Sequence, residues 1–91
     1  KDRPVVLLID ISPEANGSMA VILQVHPSSN DAYLPATLIL RVVESSGQVF
    51  MEAQARSRDN FIQLQFSGES KELFAVQIVL DDAELIEQFQ I

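Results

Sequence analysis

Apolar and uncharged polar residues alternate one for one from Phe61 to Phe66. A period of two places Ile62 and Leu64 on one face of an extended strand and the intervening glutamines on the other. The same alternation recurs at Val76–Ile78 and at Gln88–Ile91. The pattern predicts half-buried β-strands, which restricts the chain to an all-β fold without indicating any chemistry.

Turn signals at intervals of about 8–14 residues divide the whole chain into short strand-like segments. We predict seven strands, at Val5–Ile11, Met19–His26, Thr37–Val43, Gln48–Ala55, Asn60–Ser67, Leu73–Leu80 and Glu84–Ile91. Ser12-Pro13 ends the first strand, and Asn16-Gly17 is a strong hairpin signal before the second. Seven strands in about 90–100 residues are typical of an immunoglobulin-like or fibronectin type III-like β-sandwich. The cysteine pair and strand-C tryptophan of antibody domains are absent, which excludes an antibody-type domain.

Composition limits the size and the partners of the domain. A chain of 91 residues buries only roughly 60–65% of its unfolded surface, which is enough for one core and a single domain, residues 1–91. With no cysteine, neither a disulfide nor a thiolate metal site can form. A net charge of −7 disfavours nucleic acid and anionic lipid as partners. The longest apolar run, Val5–Ile9, is too short to span a bilayer, and no signal peptide is visible.

Side chains at odd and even positions of a strand point to opposite faces, and this strand parity predicts which side chains form the core. We expect the core to contain Leu7, Ile9, Val21, Leu23, Leu38, Leu40, Ile62, Leu64, Phe66, Phe74, Val76, Ile78 and Phe89. Glu87 departs from the pattern because it shares parity with Leu85 and Phe89. Since an unpaired buried carboxylate is costly, we expect either a bulge at Glu87 or an exposed edge strand guarded by its charge.

The opposite parity predicts an interaction surface. In a sandwich of this kind the third, sixth and seventh strands are neighbours in one sheet. Their outward residues are Ile39, Arg41, Val43, Ala75, Gln77, Val79, Ile86, Gln88 and Gln90. Arg41 is the single charged residue in this set, and a charge-poor, partly apolar face is typical of a docking surface. The alternative is an ordinary outer face, since strands also carry β-branched residues toward solvent.

Catalysis has little support in the sequence. His26 is the only histidine, and Ser28, Ser29 and Asp31 are close enough along the chain to suggest a catalytic triad. A triad also requires an oxyanion hole and a scaffold such as the Gly-x-Ser-x-Gly turn, which the sequence lacks. We therefore expect a protein that is not an enzyme.

Metal binding is equally weak. Zinc would lack ligands in a chain with one histidine and no cysteine. Asn30-Asp31 and Asp81-Asp82 with Glu84 are oxygen-rich loops that could suit calcium, but no EF-hand spacing is present. Aspartates in tight turns more commonly serve turn geometry. We expect no cofactor.

Arg56 and Arg58 form the one local cluster of positive charge. Arginine can hold a carboxylate of a partner through paired hydrogen bonds, so these residues are a second candidate interaction site. The alternative is a solvated turn with local ion pairs that contribute little.

Several sequence segments together resemble a known family. They are Gln24–Pro27, Tyr33–Pro35, Glu44–Gly47 and Gln54–Gly68. They are similar to the C-terminal part of a cyanobacterial family known as a domain of unknown function, number eighteen-twenty-two in its series. The ending Glu87–Ile91 is also similar, the resemblance covers nearly all of the chain, and Gln54–Leu64 is its most specific part. It implies the C-terminal module of a longer cytoplasmic protein in a regulatory setting, and it carries over no catalytic residues.

These observations favour a non-catalytic module that docks against a protein partner or against the N-terminal region of its own chain. A start at Lys1 without an initiator methionine is consistent with a domain cut from a longer protein. The alternative is a sandwich whose loops bind calcium or a carbohydrate, although sugar platforms usually need exposed aromatic rings and the chain has no tryptophan and one tyrosine. A third possibility is a structural spacer without a partner.

Overall fold

The computed structural model describes residues 5–28 and 32–91, and these residues form seven strands without a helix. The strands are β1 (Val5–Pro13), β2 (Met19–Pro27), β3 (Ile39–Glu44), β4 (Val49–Gln54), β5 (Ile62–Gly68), β6 (Leu73–Leu80) and β7 (Ala83–Gln90). Each corresponds to one predicted segment, and only the ends differ. The all-β prediction is therefore confirmed. Among the described residues, no helix is long and apolar enough to cross a membrane.

The strands form two antiparallel sheets. One sheet has the order β1-β2-β5, and the other has the order β4-β3-β6-β7. The predicted neighbourhood of the third, sixth and seventh strands is confirmed. The chain crosses between the two sheets three times, after β2, after β4 and after β5.

Turn residues place the hairpins where the sequence predicts them. Gly17 and Gly47 have φ values of 90° and 91°, in the left-handed region that glycine adopts without a steric penalty. In the β1–β2 turn the Gly17 amide donates to the Glu14 carbonyl at 3.1 Å. Asp81 also has a positive φ, of 55°, in the two-residue connection between β6 and β7.

The core lies between the two sheets and matches most of the predicted list. Its buried members are Val21, Leu23, Val25, Leu34, Leu38, Leu40, Val42, Ala55, Ile62, Leu64, Phe74, Val76 and Ile78. Four predicted core residues, Leu7, Ile9, Phe66 and Phe89, are only partly buried and pack against this cluster. Leu7, Ile9 and Phe89 lie on β1 and β7, which end their sheets and have a neighbouring strand on one side only.

Four phenylalanines form a chain of ring contacts that joins the two sheets. Phe66 contacts Phe50 and Phe74 edge to face, with ring centroids 5.6 and 5.5 Å apart, and Phe74 stacks on Phe89 at 5.6 Å. Phe50 takes part because the β3–β4 register shifts between Val42 and Val43. The shift leaves Phe50 as an extra residue on β4, as in a β-bulge.

Glu87 lies on an exposed edge, one of the two outcomes expected for it. The register between β6 and β7 is continuous, with Val76 opposite Glu87, so no bulge forms there. Glu87 is exposed because β7 is the last strand of its sheet.

Candidate interaction surfaces

The predicted interaction surface forms one side of the four-stranded sheet, which we call the outer face. None of its predicted members, Ile39, Arg41, Val43, Ala75, Gln77, Val79, Ile86, Gln88 and Gln90, is buried. Registers align them in rows, since Ile39 pairs with Val79, Arg41 with Gln77, and Val43 with Ala75. The parity assignment therefore holds across β3, β6 and β7.

A hydrogen-bonded polar row crosses all four strands of the outer face. Arg41 Nε lies 2.7 Å from Glu52 Oε1 on β4, and its Nη1 donates to Gln77 Oε1 on β6 at 3.1 Å. Gln77 Nε2 in turn donates to Glu84 Oε2 on β7. The charge of Arg41 is thus matched within the sheet. Glu84 shares the outward parity of Ile86 and Gln88, and Glu52 lies on β4, which the predicted surface did not include. The outer face therefore has two more charged residues than the prediction of Arg41 alone.

Apolar side chains remain exposed beside the polar row. Ile86, on the row itself, is 55% exposed, and Leu73 and Val49 are 56% and 49% exposed. A shallow surface cavity of about 410 Å³ lies next to the β3–β4 hairpin, and Val43 and Ala75 contribute to its lining. The outer face therefore combines a matched Arg41–Glu52 pair, and a Glu84 carboxylate that accepts from the Gln77 amide, with accessible apolar area.

The outer side of the three-stranded sheet is also poor in charge, although it was not predicted as an interaction surface. Val6, Leu8 and Phe61 are 42%, 49% and 43% exposed there. His26 stacks on Phe61 with centroids 5.1 Å apart. The sequence shows the outward residues of β1, Val6, Leu8 and Asp10, at alternate positions. The register of β1 with β2 was needed to place them on one face with the residues of β2.

The described contacts of His26 are with Gln24 and Phe61. Its Nε2 lies 2.8 Å from Gln24 Oε1, and Gln24 Nε2 donates to Gln63 Oε1 at 2.7 Å. Ser29 and Asp31, two proposed triad members, lie outside the described residues. The described partners of His26 are therefore a glutamine amide and a phenyl ring.

The calcium candidates are only partly described. Asn30 and Asp31 lie outside the described residues. On the β6–β7 turn, Asp81 and Asp82 are exposed and Glu84 bonds to Gln77. Within residues 5–28 and 32–91, no group of three histidine, cysteine, aspartate or glutamate side chains could hold a metal ion.

Arg56 and Arg58 lie on the turn between β4 and β5. The Arg56 amide donates to Asp59 Oδ2 at 2.8 Å, and its guanidinium Nε lies 3.5 Å from the same oxygen. The Arg56 side chain is 85% exposed, and Arg58 has a left-handed φ of 76°. The local ion pair expected for a solvated turn is thus present, and docking at this turn stays a prediction.

Comparison with known proteins identifies a family. A family model described as "Protein of unknown function (DUF1822)" matches residues 1–90. No curated protein matches the chain. The match spans both sheets and confirms the family indicated by the Gln54–Leu64 phrase.

Proposed function

The chain belongs to the DUF1822 family of proteins of unknown function, and from that premise we propose a function based on its own surface. It is a non-catalytic interaction module that docks on a protein through the outer face of the four-stranded sheet. The resemblance in sequence further supports a cytoplasmic cyanobacterial protein in which this module is C-terminal. The partner is then either another protein or the N-terminal region of the same chain.

The polar row is the observation that carries this proposal. Burying an unmatched charge at an interface is costly, and interface cores are accordingly depleted of charged residues. Arg41 already has Glu52 and Gln77 as partners within the sheet. A partner can therefore cover the face without supplying a counter-charge for Arg41, and it gains the burial of Ile86 and of the aliphatic side chains on either side of the row.

We also propose that the architecture is an immunoglobulin-like or fibronectin type III-like sandwich. The constant-type immunoglobulin arrangement has strands A, B, E and D in one sheet and C, F and G in the other. In this chain β1, β2 and β5 take the places of A, B and E, and β3, β6 and β7 those of C, F and G. β4 differs by pairing with β3. Fold alone does not specify function, so the docking proposal depends on the face.

The test compares matched charge substitutions on the two outer sides of the protein. Ile86→Glu introduces a carboxylate on the proposed surface, where the side chain is 55% exposed, and Leu8→Glu introduces one on the three-stranded sheet, where it is 49% exposed. The tagged wild type captures its partner from a lysate of the source cells, and quantitative mass spectrometry measures the recovery. We expect Ile86→Glu to lower recovery by about tenfold or more, which corresponds to about 1.4 kcal/mol, and Leu8→Glu to leave it unchanged.

Charge substitutions at Ile39 and Val79 extend the test to the row of residues adjacent to the polar row. Circular dichroism verifies that every variant is folded. Unchanged capture by the folded Ile86→Glu, Ile39→Glu and Val79→Glu variants would overturn the proposal. A loss confined to Leu8→Glu would instead assign docking to the three-stranded sheet.

A further inference from the structure

The two sheets leave an open groove along one side of the sandwich. β1 pairs only with β2 and β7 pairs only with β6, so one edge of each sheet lies on this side. A surface groove of about 380 Å³ runs between these edges, and its lining consists of Val5, Leu7, Ile9, Ile78, Leu85, Glu87 and Phe89. None of these residues belongs to the outer face, so the groove is a separate site.

The groove exposes part of the core. Val5, Leu7 and Ile9 are half-buried on β1, and Leu85 on β7 is 51% exposed. These side chains point toward the space between the sheets, where a further strand would complete their burial. Apolar area left open in this way favours an occupant that supplies apolar side chains at every second position.

The backbone of β7 is suited to pairing with such an occupant. Its register with β6 is continuous from Leu73 opposite Gln90 to Leu80 opposite Ala83. The strand contains neither proline nor a bulge, two of the devices that commonly block an edge, and the blocking device that it does carry is the charge of Glu87. Its free side therefore presents a regular row of N–H and C=O groups, which an extended segment can use by β-augmentation.

Glu87 determines which occupant fits. Its carboxylate lies in the groove lining between Leu85 and Phe89, two residues away on each side. Within the described part of the chain, the ion pairs join Arg41 to Glu52 and Arg56 to Asp59, and none involves Glu87. A second copy of the chain would bring two acidic β7 edges together in a molecule of net charge −7, whereas a lysine or arginine would neutralise Glu87.

We propose that β7 accepts an extended basic-apolar segment of a partner protein as an eighth strand. A lysine or arginine of this segment pairs with Glu87. Its neighbours two residues before and after are apolar and pack beside Leu85 and Phe89 against β1. The site thus selects a strand with the alternation apolar, basic, apolar on one face.

Synthetic peptides test this inference without knowledge of the natural partner. The probe is fluorescein-labelled Thr-Val-Thr-Lys-Thr-Val-Thr, and fluorescence anisotropy measures its binding to the intact 91-residue chain. We expect saturable binding that is at least about tenfold tighter than that of the same peptide with glutamate in place of lysine. N-methylation of alternate backbone amides on the pairing edge should abolish binding, because it removes the strand hydrogen bonds.

Two protein variants separate the groove from general charge attraction. Glu87→Lys should lower the affinity for the lysine peptide by about tenfold or more and raise the affinity for the glutamate peptide. Asp82→Lys makes a comparable change of charge in the β6–β7 turn, outside the groove, and should change the affinity by less than about twofold. Ile39→Glu, on β3 in the outer face, should leave peptide binding intact, which distinguishes this site from the outer face.

Specific outcomes would overturn the inference. The lysine peptide shows no saturable binding at millimolar concentration, or the lysine and glutamate peptides bind equally well. Alternatively, Glu87→Lys and Asp82→Lys reduce the affinity for the lysine peptide equally. Sedimentation analysis that shows a dimer broken by Glu87→Lys would assign the groove to a second copy instead.

Discussion

Leu23 illustrates how a single residue contributes to the stability of this protein. It lies on β2, the central strand of the three-stranded sheet, with Ile9 opposite on β1 and Leu64 opposite on β5. Its side chain is fully buried, at 0% exposure, in the cluster shared by both sheets. Because the chain has no cysteine, disulfides cannot compensate for lost packing at such a position.

We expect Leu23→Ala to lower the free energy of unfolding by about 2–5 kcal/mol, because it removes buried methyl groups and leaves a cavity. Urea denaturation followed by circular dichroism measures the change. Leu8→Ala, which alters a 49% exposed leucine on neighbouring β1, is the matched control and should cost less than about 1 kcal/mol. Equal losses in the two variants would contradict the assigned burial.

The β3–β4 hairpin shows how an element depends on its turn. The Gly47 amide donates to the Glu44 carbonyl at 2.8 Å, and the Glu44 amide donates to the Gln48 carbonyl at 2.9 Å. A Cβ at Gly47 would meet no atom within 4 Å, so its φ of 91° is the only obstacle to a side chain. The sequence predicts this turn, but it does not predict the adjacent bulge that brings Phe50 to Phe66.

We expect Gly47→Ala to destabilise the protein by about 1–2 kcal/mol, the cost of a left-handed backbone for an L-residue. Gly47→Asn should recover part of this loss, because asparagine tolerates the left-handed region better. Thermal unfolding of the three proteins in parallel measures the differences. An alanine variant as stable as the wild type would show that the turn does not require a positive φ.

At the scale of the whole molecule, strand order determines where the structure is most stable. β2, β3 and β6 have a paired strand on each side, whereas β1, β4, β5 and β7 are paired on one side only. The groove between β1 and β7 leaves those edges less covered by apolar packing. Local opening should therefore begin at this side of the sandwich.

Native-state hydrogen exchange tests this order of stability. We expect the hydrogen-bonded amides of β2, β3 and β6 to exchange only through global unfolding, whereas those of β7 and β1 exchange through smaller openings with lower free energy. A β7 as protected as β6 would contradict this expectation. Addition of the lysine peptide should raise the protection of β7 if the groove binds it.

The sequence alone determined the strands, the turns and the face to which each side chain points. These properties depend on a period of two and on glycine or asparagine at tight turns, which are relations between residues close together in the chain. That is why most of the predicted core, from Val21 to Ile78, is buried and why the outward set from Ile39 to Gln90 is not.

Only the tertiary structure decided which strands became edges and which side chains met across them. The register between β3 and β6 brought Gln77 to Arg41, 36 residues away in the chain. The registers of β1 with β2 and of β2 with β5 assembled the second charge-poor side around Leu8. The same pairing left Glu87 in an open groove. Parity indicates the direction of a side chain, but its burial depends on whether another strand lies beside it, and that is a property of the whole fold.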